Sequence, residues 1–288
     1  MTSAFWVSMP IIRNIVLAAA PSGKGVATLC AAAGIRPEDL EQADGRLSLE
    51  QNCSVMEAAL AYSGDPCLGL HIGERTTPVV LGMAGHLIQS CKDLRTALQL
   101  VQEHTGAFTR LYRFALETEG DTVAYYCEPL SLWNDLSPET ARMSVDLAFA
   151  AAVHFLQLLS GRRVRPLRAC YTYVRPAAPA EYERVLGCPL RFGTDRNCLV
   201  FSASDLQHPV IGYNETLHTV FRTLLEEQAG REQTASVAAR VRALLTGTGP
   251  EAFPGMEEAA RRLHLSPRTL QRKLGEEGTS FRLITDEL

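Results

Sequence analysis

The stretch from Met256 to Phe281, MEEAARRLHLSPRTLQRKLGEEGTSF, constrains the fold more than any other part of this 288-residue chain. Met256, Ala259, Ala260 and Leu263 fall at i, i+3, i+4 and i+7, which lays one apolar stripe along a short helix. Glu257 and Glu258 stand in its first turn and Arg261 and Arg262 in its last, as the helix macrodipole favours. His264 and Leu265 make a corner. Ser266 then suits an N-cap and Pro267 the first position of a second helix that runs to about Glu277, with Gly278 as its stop. Leu270 and Leu274 should face the first helix. Arg268, Thr269, Gln271, Arg272 and Lys273 are left on the other faces.

Two readings fit this pattern equally well: a DNA-binding helix-turn-helix, or an ordinary antiparallel helix pair with a solvated basic face. In the first, exposed side chains near the start of the second helix reach base edges in the major groove. Arg can pair bidentately with guanine and Gln with adenine. That assigns Arg268, Gln271 and Arg272 to base or groove-edge contacts. Thr269 and Lys273 become phosphate contacts, which set register and affinity rather than sequence. The whole chain carries a net charge of −4, so it is no basic coat protein. From Met256 to Leu274, however, five bases stand against two acids, a local +3. A basic module on an acidic body suits a regulator.

The rest of the chain reads as α+β. With 46% hydrophobic and 21% charged residues it can build a substantial core, and its length allows two domains. Helical signals dominate to about residue 107: Pro10–Ala20, Gly25–Ala33, Leu49–Tyr62 and Leu94–His104, with Cys67–Gly73 as a short apolar turn and Pro78–Cys91 helical from Gly82. The period then changes to two. Thr109–Glu117 and Thr122–Glu128 flank a Glu119-Gly-Asp121 hairpin turn. Ser137-Pro-Glu-Thr140 resembles a capping box opening a long helix to about Ser160. Further strands are expected at Arg168–Arg175, Pro189–Phe192 and Cys198–Phe201, with helices at Ala180–Leu186, Asn214–Ala229 and Thr234–Leu245. The expected architecture is a helix-rich N-terminal domain (1–230) with a small antiparallel sheet crossed by a long helix, followed by an all-α helix-turn-helix segment (231–288).

Little catalytic chemistry is legible. There is no G-x-S-x-G, P-loop or dinucleotide fingerprint, and the seven His are scattered. Eight Cys without a C-x-x-C pair read as reduced thiols rather than a disulfide framework or zinc site. Arg13 and Asn14 interrupt the apolar run at the N-terminus, which argues against a signal-peptide core. No apolar stretch is expected to span a membrane, and the cytoplasm is the expected location. No metal, cofactor or enzymatic activity is expected. The aromatic residues on or beside the strands read first as sheet-to-helix packing. Their functional reading is an apolar effector pocket between sheet and long helix, lined by Tyr112, Phe114, Tyr125, Trp133 and Tyr171 with His154 from the helix.

The string LHLSPRTLQRKLGEEGTSF (263–281) resembles the first helix-turn-helix of AraC-type transcriptional regulators. Gly69-Leu-His-Ile-Gly73, Leu81-Gly-Met-Ala-Gly85, Ser90 with Leu94-Arg-Thr-Ala-Leu98, and Tyr182 followed by Gly187-Cys-Pro-Leu-Arg-Phe-Gly193 resemble the arabinose-binding-like effector domain of one AraC branch. The resemblance implies a regulator of double-stranded promoter DNA, a small-molecule effector of unspecified identity, and homodimerisation. It also implies two helix-turn-helix units joined by a long helix. Thr279–Leu288 would begin that helix, so a C-terminally truncated regulator is expected. The alternative is a ligand-binding or dimerisation module without independent DNA binding; an enzyme is a third, weaker alternative.

Overall fold

The computed structural model describes residues 5–234, 237–246, 254–263 and 265–286. The chain opens with β1 (Trp6–Ser8), α1 (Met9–Ala19), α2 (Val26–Ala32), β2 (Arg46–Ser48), α3 (Leu49–Ser63), α4 (Leu68–Gly73), α5 (Met83–Gln89) and α6 (Leu94–Glu103). The hairpin β3 (Tyr112–Glu119) and β4 (Thr122–Pro129) follows, then α7 (Ser131–Leu136) and the long α8 (Pro138–Ser160). β5 (Arg168–Tyr171), α9 (Pro179–Leu186), β6 (Leu190–Phe192) and β7 (Cys198–Ser202) complete a five-stranded sheet of order β3-β4-β7-β5-β6. The remaining helices are α10 (Glu215–Thr234), α11 (Val237–Thr246), α12 (Met256–Arg262), α13 (Pro267–Glu276) and α14 (Phe281–Asp286).

Local chemistry accounts for most boundaries. Ser48 and Gln51 form a reciprocal capping box at the start of α3, and Gly64 ends it with φ 63°. The Asp93 carboxylate accepts the Thr96 N–H at 2.8 Å and starts α6. Gly120 adopts φ 54° in the hairpin turn, so the β3–β4 register runs from Tyr112 opposite Pro129 to Glu119 opposite Thr122.

Several elements differ from the sequence expectation. Cys67–Gly73 is a helix rather than a turn. The sheet is antiparallel except for β5 and β6, which pair in parallel. β5 stops at Tyr171, short of Arg175. Ser137 makes no side-chain cap; its hydroxyl instead donates to Glu57 at 2.7 Å, because a tertiary partner displaced the local one. β1, β2 and α7 were not expected, being only three to six residues long. α8 is in fact long and apolar enough to cross a membrane, yet 67% of its most apolar window is buried within the protein, as befits a core helix.

α8 is the axis of the N-terminal region. On one side it meets α4 so closely that a Cβ on Gly69 would collide with the Met143 carbonyl, and one on Gly73 would lie 2.5 Å from Leu147 O and 2.6 Å from Ala150 Cβ. The glycines of the GLHIG run are thus explained by close packing of backbones. On the other side α8 faces the sheet. The core there includes Leu98, Phe149, Leu156, Tyr171 and Phe201, and α10 joins it through Leu225 and a stack of Phe221 on His86. A second cluster centres on Ile12, Leu29, Met56 and Trp133. A separate third core, around Val241, Leu244, Ala259, Ala260, Leu270, Leu274 and Ile284, holds α11–α14 together.

Candidate functional site

The helix pair is built as its periodicity requires. The Ser266 Oγ accepts the Thr269 N–H at 3.1 Å, and Pro267 occupies the first helical turn. Leu270 and Leu274 are fully buried with Ala259 and Ala260, which fixes the rotation of α13. Arg268, Gln271 and Arg272 are consequently exposed, while Thr269 and Lys273 are half-buried at the flanks. Gly278 ends the helix with φ 74°. The corner residue His264 lies outside the described residues, as do Glu287 and Leu288 at the end of the segment expected to begin the joining helix; α14 lies within that segment.

Electrostatics divide these bases into two sets. Arg272 pairs with Glu276 one turn on, and Glu258 gathers both Arg261 and Arg262, the latter at 2.6 Å. Arg268 and Lys273 make no ion pair among the described residues. Exposed pairs of this kind contribute only ~0–1 kcal/mol, so Arg272 can exchange Glu276 for another partner at little cost. A contact that periodicity does not point to fastens the unit: the Glu277 carboxylate accepts the N–H groups of Val237 and Ala238 at 2.6 and 2.7 Å, placing an anion at the start of α11. With forty residues between the partners, no local signal announces it.

The second site is a cavity of about 90 Å³ between the long helix and the sheet, flanked by α1 and α6. α8 lines it with Leu147, Ala148, Ala151, Ala152, Phe155, Leu156 and Leu159. The space exists because three of those positions are alanine. Tyr112, Phe114 and Tyr125 line the sheet side, where Phe114 stacks on Tyr112 and Tyr125 at 5.6 and 5.5 Å. The structure thus brings three of the six expected pocket residues to one cavity and places the other three elsewhere. Trp133 is buried in the second core, its Nε1–H donating to Thr140 Oγ1 at 2.9 Å and its ring set edge-on to Tyr112. Tyr171 lies under β5 among Phe149, Tyr182 and Phe192. His154 sits on a flank of α8 away from the cavity lining, and partial burial holds its pKa below the ordinary value. Alternation along the strands placed the β3 and β4 side chains; it could not place residues whose position depends on which face of a helix meets which sheet.

Three polar groups escaped the sequence reading. Asn14 and Thr76 line the cavity from α1 and the segment after α4, joined by a 2.8 Å bond from Asn14 Nδ2 to Thr76 Oγ1. Asp146, on α8, is buried and accepts the hydroxyls of Tyr182, at 2.7 Å, and of Tyr173. Burial pushes its carboxyl up to about 7 against the opposing pull of those hydroxyls and of Arg142. Nearer the surface, His71 bridges Asp65 at 2.5 Å and Glu181 at 2.7 Å. Burial opposes its positive charge, but the two carboxylates outweigh that and hold its pKa above the ordinary value.

All eight Cys are buried and unpaired, and desolvation pushes Cys91, Cys188 and Cys198 up to about 12, the opposite of an activated thiol. Among the described residues no group of three His, Cys, Asp or Glu side chains could hold a metal ion.

A cavity-bearing α+β region followed by a helix-turn-helix unit defines a DNA-binding transcription regulator. Residues 23–210 match the family described as the arabinose-binding domain of AraC transcription regulator, N-terminal. The chain belongs to that family. It is 27% identical over 261 residues to the ornithine utilization regulator of Pseudomonas aeruginosa, covering 89% of this chain and 75% of that protein. It is 24% identical over 286 residues to an uncharacterized HTH-type transcriptional regulator of Mycobacterium tuberculosis, covering 98% of this chain and 83% of the relative. In fold it is similar to the transcriptional regulator CdpR of Pseudomonas aeruginosa, with a TM-score of 0.52 and 22% identity, covering 81% of this chain and 75% of that one.

Proposed function

We propose that α13 is the recognition helix of a cytoplasmic, ligand-responsive regulator acting as a homodimer on promoter DNA. The N-terminal region, to about residue 230, is the effector and dimerisation domain, and the segment after it is the DNA-binding domain. Arg268, Gln271 and Arg272 read base edges, while Thr269 and Lys273 bind phosphates. The observation that carries this reading is the rotation of α13: complete burial of Leu270 and Leu274 turns Arg268, Gln271 and Arg272 together toward solvent. Tyr112, Phe114 and Tyr125 belong to the effector site. An effector acts by binding one arrangement of the protein more tightly than another, since equal affinity for both shifts nothing.

The test is a gel-shift titration of the 288-residue chain on its own promoter at several salt concentrations, with native mass spectrometry of the same sample. A sequence-specific shift whose affinity falls steeply with salt is expected. Dimers without any specific shift would support a dimerisation module lacking independent DNA binding.

A further inference from the structure

We infer that the α8 cavity takes an uncharged, mainly hydrocarbon small molecule carrying one hydrogen-bonding group, rather than a sugar or a charged metabolite. The inference rests on the effector reading above and specifies its ligand class. Among the described residues no Asp, Glu, Lys, Arg or His lines the cavity. A charged ligand would leave water with no counter-charge to meet, which is prohibitive in such surroundings. The polar lining is limited to Asn14, Thr76, Thr109 and the hydroxyls of Tyr112 and Tyr125, and both threonines are engaged. The Thr76 hydroxyl accepts from Asn14 and donates to Ile72 O at 2.7 Å. The Thr109 hydroxyl donates to Trp6 O at 3.2 Å and accepts from the Leu111 N–H at 3.0 Å. Asn14 retains its Oδ1 and its second amide hydrogen, with no hydrogen bond to either among the described residues. A pentose would bury a ring of hydroxyls against this amide and the Tyr112 and Tyr125 hydroxyls, in a lining otherwise of hydrocarbon, and leave part of them unpaired. A molecule with one hydroxyl or carbonyl would satisfy Asn14 and set its carbon chain against Phe114, Leu98 and Phe155. Specificity then comes from the alanines of α8, because a larger residue at Ala148 or Ala152 would occupy the ligand's space.

The test uses the full 288-residue chain and four probes: 1-hexanol, hexane, L-arabinose and L-arginine. Binding is read by calorimetric titration and by the shift in thermal midpoint, and promoter affinity is measured in parallel. Saturable binding of 1-hexanol is expected, with none of L-arabinose or L-arginine. Ala152→Leu should weaken 1-hexanol on the order of tenfold by filling the cavity, and Ala148→Met serves the same purpose should Ala152→Leu not fold. Asn14→Leu should reduce the preference for 1-hexanol over hexane about fivefold while leaving hexane bound. Saturable L-arabinose or L-arginine binding that a cavity-filling variant abolishes would overturn the inference, as would 1-hexanol affinity unchanged by both filling variants. If 1-hexanol binds in the cavity but promoter affinity does not move, the ligand class stands and the effector role falls. If L-arabinose moves promoter affinity through the cavity, the effector role stands and the ligand class falls.

Discussion

The two ends of this chain use apolar residues to opposite effect. In α13, Leu270 and Leu274 fill their space completely, and the groups proposed to meet DNA are those left outside. In α8, Ala148, Ala151 and Ala152 leave space unfilled, and the proposed effector site is the gap itself. A surface that reads DNA needs a rigid support with charge turned outward. A site for a small apolar molecule needs a rigid wall with volume missing. Hence the binding residues of the first are conspicuous by type, whereas those of the second are the plainest in the chain.

That contrast can be broken most forcefully at the support. Leu270→Ala removes a fully buried side chain from the small α11–α14 core and should cost about 3–5 kcal/mol. Specific DNA binding should vanish while 1-hexanol binding in the cavity persists; loss of both together would show that the two regions are not separately held. Next in size, Gly73→Val forces a side chain into the α4–α8 crossing and should destabilise the N-terminal region by about 3 kcal/mol, measured by urea unfolding. A neutral result would mean that the glycines of GLHIG serve something other than close packing.

Smaller effects sharpen the reading of α13. Arg272→Ala should cost about 2 kcal/mol at one base position and little at others; equal loss on all sequences would remove it from base reading. Lys273→Ala should weaken every sequence alike and lower the salt slope by about one, checked by titration across a salt series. A separate effect concerns pH. Asp146 titrates at about 7 when folded, above its unfolded value near 3.9. Its contribution is therefore full below about pH 4 and is lost as pH rises through about 7. Asp146→Asn should flatten that decline, and parallel pH profiles for the two proteins would show the carboxyl to be ionised in the fold.

The α12–α13 unit was legible because everything in it is local: an N-cap, a proline, two leucines four apart and a glycine stop. Tyr112, Phe114 and Tyr125 were legible as the inner face of a two-residue period. Trp133, Tyr171 and His154 were not placed, since being aromatic or titratable beside a strand does not say which core receives the side chain. Ser137 shows the same limit. Its neighbours resemble a capping box, yet Glu57, eighty residues away, takes the hydroxyl.

By itself the sequence determined the helices with clear caps, the β3–β4 hairpin, the rotation of α13 and the family, because each depends on residues within a few turns of one another. Tertiary structure alone decided where α8 leaves a cavity, that Asn14 keeps a free amide group at its lining, and that Glu277 caps α11. Those features arise between segments far apart in the chain, where position is set by packing and by the need to satisfy buried polar groups rather than by any local period.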